Sequence, residues 1–151
     1  MTDTSLMFQY CTALKEVTGT GDWHMPKNTT MKGMFSLCSA LESVDVRNWE
    51  VPNVTTTLQM FTNCTSLVSV PGSENWDFGS VTEADSMFFG CGNLESLDVS
   101  GWDTGNVKTF RNAFRGCSKL TELDVSNWDT HSVQSFLGTF EDCAALKKLD
   151  V

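Results

Sequence analysis

Residues 107–133 read VKTFRNAFRGCSKLTELDVSNWDTHSV, and the apolar spacing changes partway along them. Val107, Phe110, Ala113/Phe114, Cys117 and Leu120 recur every three or four residues, which predicts a helix of about three turns. From Leu120 the period falls to two. Leu123 and Val125 then point inward and Asp124 outward, as in a short strand. Ser126 to Thr130 form the return turn.

This register runs through the whole chain. Its six cysteines, Cys11, Cys38, Cys64, Cys91, Cys117 and Cys143, fall at intervals of 27, 26, 27, 26 and 26 residues. Each is preceded three residues earlier by phenylalanine, from Phe8 to Phe140, and followed three later by leucine, from Leu14 to Leu146. The five tryptophans, Trp23, Trp49, Trp76, Trp102 and Trp128, keep the same register. The implied units are 1–26, 27–53, 54–80, 81–106, 107–132 and 133–151, in one repeat domain. Asn53, Ser80, Asn106 and Ser132 stand where a helix N-cap belongs, and Ser80 with Glu83 matches a capping box.

One strand and one helix cannot bury their own apolar face, so such units must stack. The expectation is an α/β solenoid of six repeats, leucine-rich-repeat-like, with a parallel β-sheet on the concave face and short helices on the convex face. Units one and three carry an extra residue before tryptophan, in 17–23 and 70–76. Gly19, Gly21, Pro71 and Gly72 suit a bulged turn there. Lys27-Asn28 replaces the Asn/Ser-Val pair that opens the other helices.

Lysine and arginine number 10 against 19 aspartate and glutamate, a net charge of −9, without a basic cluster. Nucleic acid and anionic membrane surfaces need a positive footprint and are not expected partners. No apolar run approaches a membrane span of roughly 18–20 residues. The first residues lack the basic and apolar regions of a secretory signal.

The pattern Met-Phe-x-x-Cys-x-x-Leu-x-x-Leu-Asp-Val-Ser-x-Trp-Asp-Thr-x-x-Val, best seen in 87–107 and 113–133, resembles the repeat of the BspA-like family. Those are 26-residue repeats of bacterial surface proteins and mycoplasma lipoproteins. This chain has tryptophan where the family often has phenylalanine, and 18–30 fit poorly. The resemblance implies a leucine-rich-repeat-like solenoid at the cell surface or outside the cell, serving adhesion or protein binding. It carries over no catalytic residue.

The cysteine column reads as buried free thiols filling one slot per unit, so no disulfides are expected. The tryptophan column reads as scaffold at the strand-to-helix turn. Two acidic columns hold the most chemistry: Asp45, Asp98, Asp124 and Asp150 on the strands, and Glu50, Asp77, Asp103 and Asp129 after tryptophan. Stacked carboxylates repel. Turn hydrogen bonding and solvent screening are one account. Calcium held by Asp98, Asp124, Asp103 and Asp129 is the other. Asn28, Asn53 and Asn63 open Asn-x-Ser/Thr sequons. No nucleophile–base pair, phosphate loop or opposed carboxylate pair stands out, so neither enzymatic activity nor a cofactor is expected.

The candidate binding surface is the concave face: Ser43, Asp45 and Arg47; Ser96, Asp98 and Ser100; Glu122, Asp124 and Ser126. Its expected ligand is a protein or glycan on another cell or matrix. The terminal units resemble internal ones and lack a polar cap, as expected of a piece of a longer surface array whose flanking sequence, or a partner, does the capping. A second reading therefore has protomers stacking end to end into filaments, across a junction that lacks one seven-residue turn.

Overall fold

The computed structural model describes residues 1–150. In the segment expected to be the first helix, Met7 N–H donates to the Thr4 carbonyl at 3.3 Å, Gln9 to Leu6 at 3.0 Å and Cys11 to Phe8 at 3.0 Å. These are overlapping β-turn closures, each linking residues three apart and each offset by two from the last. Leu6 and Tyr10 have φ of 59° and 63°. Each is the third residue of its turn, where a type II turn needs positive φ. The same pair of left-handed residues recurs five and one positions before every later cysteine: Gly33 and Leu37, Gln59 and Asn63, Ser86 and Gly90, Asn112 and Gly116, Gly138 and Asp142.

An α-helix cannot run through a left-handed residue at every fourth position. The N–H groups between the turn closures bond sideways instead. Thr4, Leu6, Phe8 and Tyr10 donate to the carbonyls of Thr30, Lys32, Met34 and Ser36 at 2.8–3.2 Å, and each later winding repeats the pattern with the next.

The expected α/β leucine-rich-repeat solenoid is therefore corrected. Among the described residues there is no α-helix, and the only strands are β1 (Glu122–Asp124) and β2 (Lys148–Asp150). They form one two-stranded parallel sheet, with Leu123 opposite Leu149. Elsewhere the parallel pairing shrinks to single bridges, such as Glu16 to Ser43 to Ser69 and Thr30 to Thr56 to Glu83 to Thr109 to Ser135. The three-residue apolar spacing belongs to chained turns. Those turns direct Phe, Met and Cys inward and send the remaining backbone bonds to neighbouring windings.

The proposed N-caps have a different task. Asn53 Nδ2 donates to the Pro26 carbonyl at 2.7 Å, Ser80 Oγ to Pro52 at 2.7 Å and Asn106 Nδ2 to Gly79 at 2.8 Å, each tying one winding to the one before. The two extra residues build short 3-10 turns, Thr20–Asp22 and Ser73–Asn75, behind Gly19 and Gly72 at φ 77° and 89°. At Gly72 a Cβ would lie 2.3 Å from the Arg47 Cα, so this turn seats directly on the preceding winding.

One continuous core runs from Met25 to Trp128. Phe8, Phe35, Phe61, Phe88, Phe114 and Phe140 form a ring stack at centroid spacings of 5.2–5.8 Å. The tryptophan column stacks at both ends, but Trp76 stands edge-on to Trp49 and Trp102. Phe78 lies flat on Trp102 at 4.1 Å. The equivalent position in other windings holds Met25, Val51, Thr104 or Thr130.

Candidate ligand-binding face

The acidic strand column is built from short self-closing turns. Asp98 Oδ1 accepts the Ser100 N–H at 3.0 Å and its hydroxyl at 2.6 Å. Asp124 and Ser126 repeat this with the same two distances. Asp45 accepts the Arg47 N–H at 3.1 Å and its guanidinium Nε at 3.0 Å. An aspartate that bonds its own backbone two residues on is an Asx turn. Each one ends the extended stretch and fixes its carboxylate outward.

These bonds stabilise the charged forms. Ser126 holds the Asp124 carboxyl below its ordinary range, and Arg47 does the same for Asp45. Lys148, 2.7 Å from Asp150, is raised by that carboxylate. The second acidic column closes turns of the same kind. Asp77, Asp103 and Asp129 accept the N–H of Gly79, Gly105 and His131 at 3.0, 3.2 and 3.0 Å. The His131 N–H holds the Asp129 carboxyl below its ordinary range. Glu50 pairs with His24 at 2.8 Å.

Backbone and hydroxyl donors therefore offset the repulsion within both columns. The four calcium candidates, Asp98, Asp124, Asp103 and Asp129, are divided between two separate turns of the winding. Among the described residues no three His, Cys, Asp or Glu side chains converge to hold a metal ion.

Of the nine candidate binding residues, five share one groove. Ser96, Asp98, Ser100, Glu122 and Asp124 line an open depression of about 470 Å³, joined by Lys148 and Asp150. Ser126 borders it through its bonds to Asp124. Asp45 and Arg47 lie in a second groove of about 540 Å³, with Thr18, Gly21 and Asp22. Ser43 pairs with Glu16 and Ser69 in the bridge ladder. Seven of the nine residues thus divide between two grooves, and Ser43 and Ser126 line neither. Sequence reasoning placed Asp150 in the strand column but not in the binding set, and it missed Lys148, which occupies the repeat position of Ser96 and Glu122. The repeat register that found Asp150 was the signal that could have found Lys148 as well.

The family described as a Mycoplasma protein of unknown function, DUF285, matches residues 1–88 and again 68–150. The chain belongs to this family. No curated protein matches it. In this DUF285 chain the second matched stretch by itself spans every residue of the groove that Asp98 and Asp124 line. No helix among the described residues is long and apolar enough to cross a membrane.

All six cysteines of the DUF285 chain are free thiols. Cys38, Cys64, Cys91 and Cys117 are buried, and each Sγ lies 3.0–3.3 Å from the carbonyl oxygen of the preceding winding's phenylalanine. Burial pushes the Cys38 thiol up to about 11 and Cys64 to about 12, and Cys91 and Cys117 move in the same direction.

Proposed function

We propose that this chain is a non-enzymatic interaction module at the cell surface or outside the cell, of the BspA-like kind, used in adhesion. The groove bounded by Asp98, Glu122, Asp124 and Asp150 carries this reading. Four carboxylates face one ammonium group there, and the Asx turns hold Asp98 and Asp124 before any ligand arrives. Such a face suits a protein or glycan ligand that presents cations or hydroxyl donors. Preorganisation lowers the ordering cost of binding, and the charge excess speeds encounter with a basic segment. Burial keeps four thiols in their neutral form, which is compatible with an external setting because the thiolate is the species that oxidises.

The test is calorimetric titration with a lysine-rich decapeptide at low and at physiological salt. Asp98→Asn with Asp124→Asn keeps a side-chain carbonyl for each Asx turn and removes both charges. The expected result is weakening of about tenfold at low salt, shrinking as salt screens the face. Equal binding by parent and variant would falsify the reading.

A further inference from the structure

Lys108, Arg111, Arg115 and Lys119 are four of the chain's ten cations, and residues 107–121 contain no aspartate or glutamate. Spaced three and four apart in a chain of net charge −9, they do not read as a basic cluster. The chained turns of the fifth winding nevertheless send all four outward, with Lys108, Arg111 and Lys119 exposed and Arg115 half-buried. Arg115 is neutralised by Glu141 at 2.8 Å and Asp142 at 3.5 Å. Lys108 and Arg111 are not. Among the described residues neither has a carboxylate within ion-pair distance.

Beside these two cations a turn found in other windings is rearranged. At Thr30, Thr56 and Ser135 the hydroxyl oxygen accepts the N–H two residues on, at 3.2–3.3 Å. Glu83 and Thr109 are rungs of the same bridge ladder. At Thr109 the hydroxyl instead donates to Asp85 Oδ1 of the fourth winding at 2.5 Å, and the Arg111 N–H donates to that same oxygen at 2.7 Å. One carboxylate oxygen is thereby locked across a junction between two windings that each have neighbours on both sides. The other oxygen, Oδ2, has no partner among the described residues and stays open as an acceptor.

Asp85, Lys108, Thr109 and Arg111 line an open groove of about 390 Å³ together with Glu83 and Ser135. That volume falls within the roughly 300–1,000 Å³ of small-ligand clefts. The groove shares no residue with the one that Asp98 and Asp124 line.

We propose that this second groove binds a uronic-acid residue of a glycan chain, its carboxylate on Lys108 and Arg111 and a ring hydroxyl donated to Asp85 Oδ2. Two cations without counter-ions attract an anion, and the arginine fork matches a planar carboxylate. A phosphate dianion would meet the repulsion of both Glu83 and Asp85. A neutral sugar leaves Lys108 and Arg111 unused, and an oligoglutamate offers Asp85 no hydroxyl. A carboxylated sugar carries one negative charge and several hydroxyl donors, so it answers both halves of the groove. Ser135, whose oxygen already accepts the Leu137 N–H, keeps its proton for a sugar oxygen. The site stands apart from the acidic groove and takes a ligand of the opposite charge.

The test is a chemical-shift titration of the isotopically labelled chain with three probes: a galacturonic-acid tetrasaccharide, its carboxyl-reduced neutral counterpart and tetraglutamate. The parent should bind the galacturonate about tenfold more tightly than either of the others, with shifts centred on Asp85, Lys108 and Arg111. Lys108→Gln with Arg111→Gln removes both charges at exposed positions and leaves the backbone bond to Asp85 in place. This double variant should bind galacturonate about tenfold more weakly, with an otherwise unchanged amide spectrum as the control for folding. Asp85→Asn keeps a side-chain oxygen for Thr109 and Arg111 but removes the open carboxylate oxygen. It should narrow the preference for galacturonate over tetraglutamate to less than about threefold. A parent that does not bind galacturonate, equal binding of either other probe, a double variant that binds as the parent does, or an unchanged preference in Asp85→Asn overturns the proposal.

Discussion

The indole N–H of Trp102 donates to the carbonyl of Ser73, 2.8 Å away in the preceding winding. Trp49 does the same to Thr20 at 2.6 Å. Both acceptors belong to the 3-10 turns that the two extra residues create. Trp128 follows a winding without the extra residue, and its buried indole N–H has no partner. The length variation between windings therefore has an energetic consequence at every second tryptophan.

Trp102→Phe loses a hydrogen bond, whereas Trp128→Phe relieves a buried unpaired donor. Both lose similar ring volume from buried positions. Trp102→Phe should cost about 1–3 kcal/mol more than Trp128→Phe in urea unfolding. Equal losses would mean that the Ser73 bond adds nothing.

At Gln59 the sign of a glycine substitution separates a chained turn from a helix. Gln59 is exposed with φ of 57°. A left-handed residue other than glycine carries roughly 1–2 kcal/mol of strain. Gln59→Gly should therefore stabilise the protein by about 0.5 kcal/mol, after the larger entropy loss of glycine on folding. In an exposed helix the same change would cost about 1 kcal/mol. Gly90→Ala should destabilise, because φ is 72° and a Cβ would lie 2.3 Å from the Asn63 Oδ1. Paired chemical denaturation of both variants checks the two signs together.

The 26-residue period, the buried columns and the alternation around Leu123 were all legible, because apolar residues at fixed register must face one interior. The state of the first half of each unit was misread. Spacings of three and four suit an α-helix, but consecutive type II turns place side chains at almost the same intervals. The distinguishing residues were Gly33, Gly90, Gly116 and Gly138, with Asn63 and Asn112, in the middle of every supposed helix but the first. Glycine and asparagine repeated there mark left-handed backbone. Leu6, Leu37 and Ser86 hide the signal because they accept the strain. The binding face was read as one surface, but the residues from Ser96 onward share a groove apart from Asp45 and Arg47. The intervening winding carries Pro71, Gly72 and an extra residue in place of the Asp-x-Ser turn, and that interruption was visible as a length change without its geometric consequence.

Folding favours the protonated thiol wherever burial raises a cysteine pKa. That contribution is complete below the unfolded value of about 8.5 and is lost as pH rises toward the folded value. Cys38 and Cys64, raised to about 11 and about 12, set the window from roughly pH 9 to 12. The urea midpoint should fall steadily across its lower half, from pH 9 to 10.5, and Cys64→Ala should flatten the slope. An ellipticity-monitored titration under reducing conditions measures both. A midpoint that does not change over this range would show that the thiols are hydrated in the folded protein.

Acid acts through the Asx turns with the opposite sign. Asp45, Asp124 and Asp129 are held below the ordinary carboxylate range, so their contribution is present above the unfolded value near 3.9 and lost as pH falls through the folded one. For Asp124 the cause is the Ser126 hydroxyl first and its N–H second. Ser126→Ala removes the hydroxyl but leaves the backbone donor at 3.0 Å. The Asp124 pKa, followed by carboxyl carbon chemical shift, should therefore rise partway to its ordinary value. The Asp98 resonance serves as an internal control, because Ser100 is untouched. A rise at Asp124 alone assigns the turn its electrostatic role. An unmoved Asp124 would mean that its charge is stabilised by the backbone without the hydroxyl, and the preorganisation of the groove would then rest on main-chain geometry.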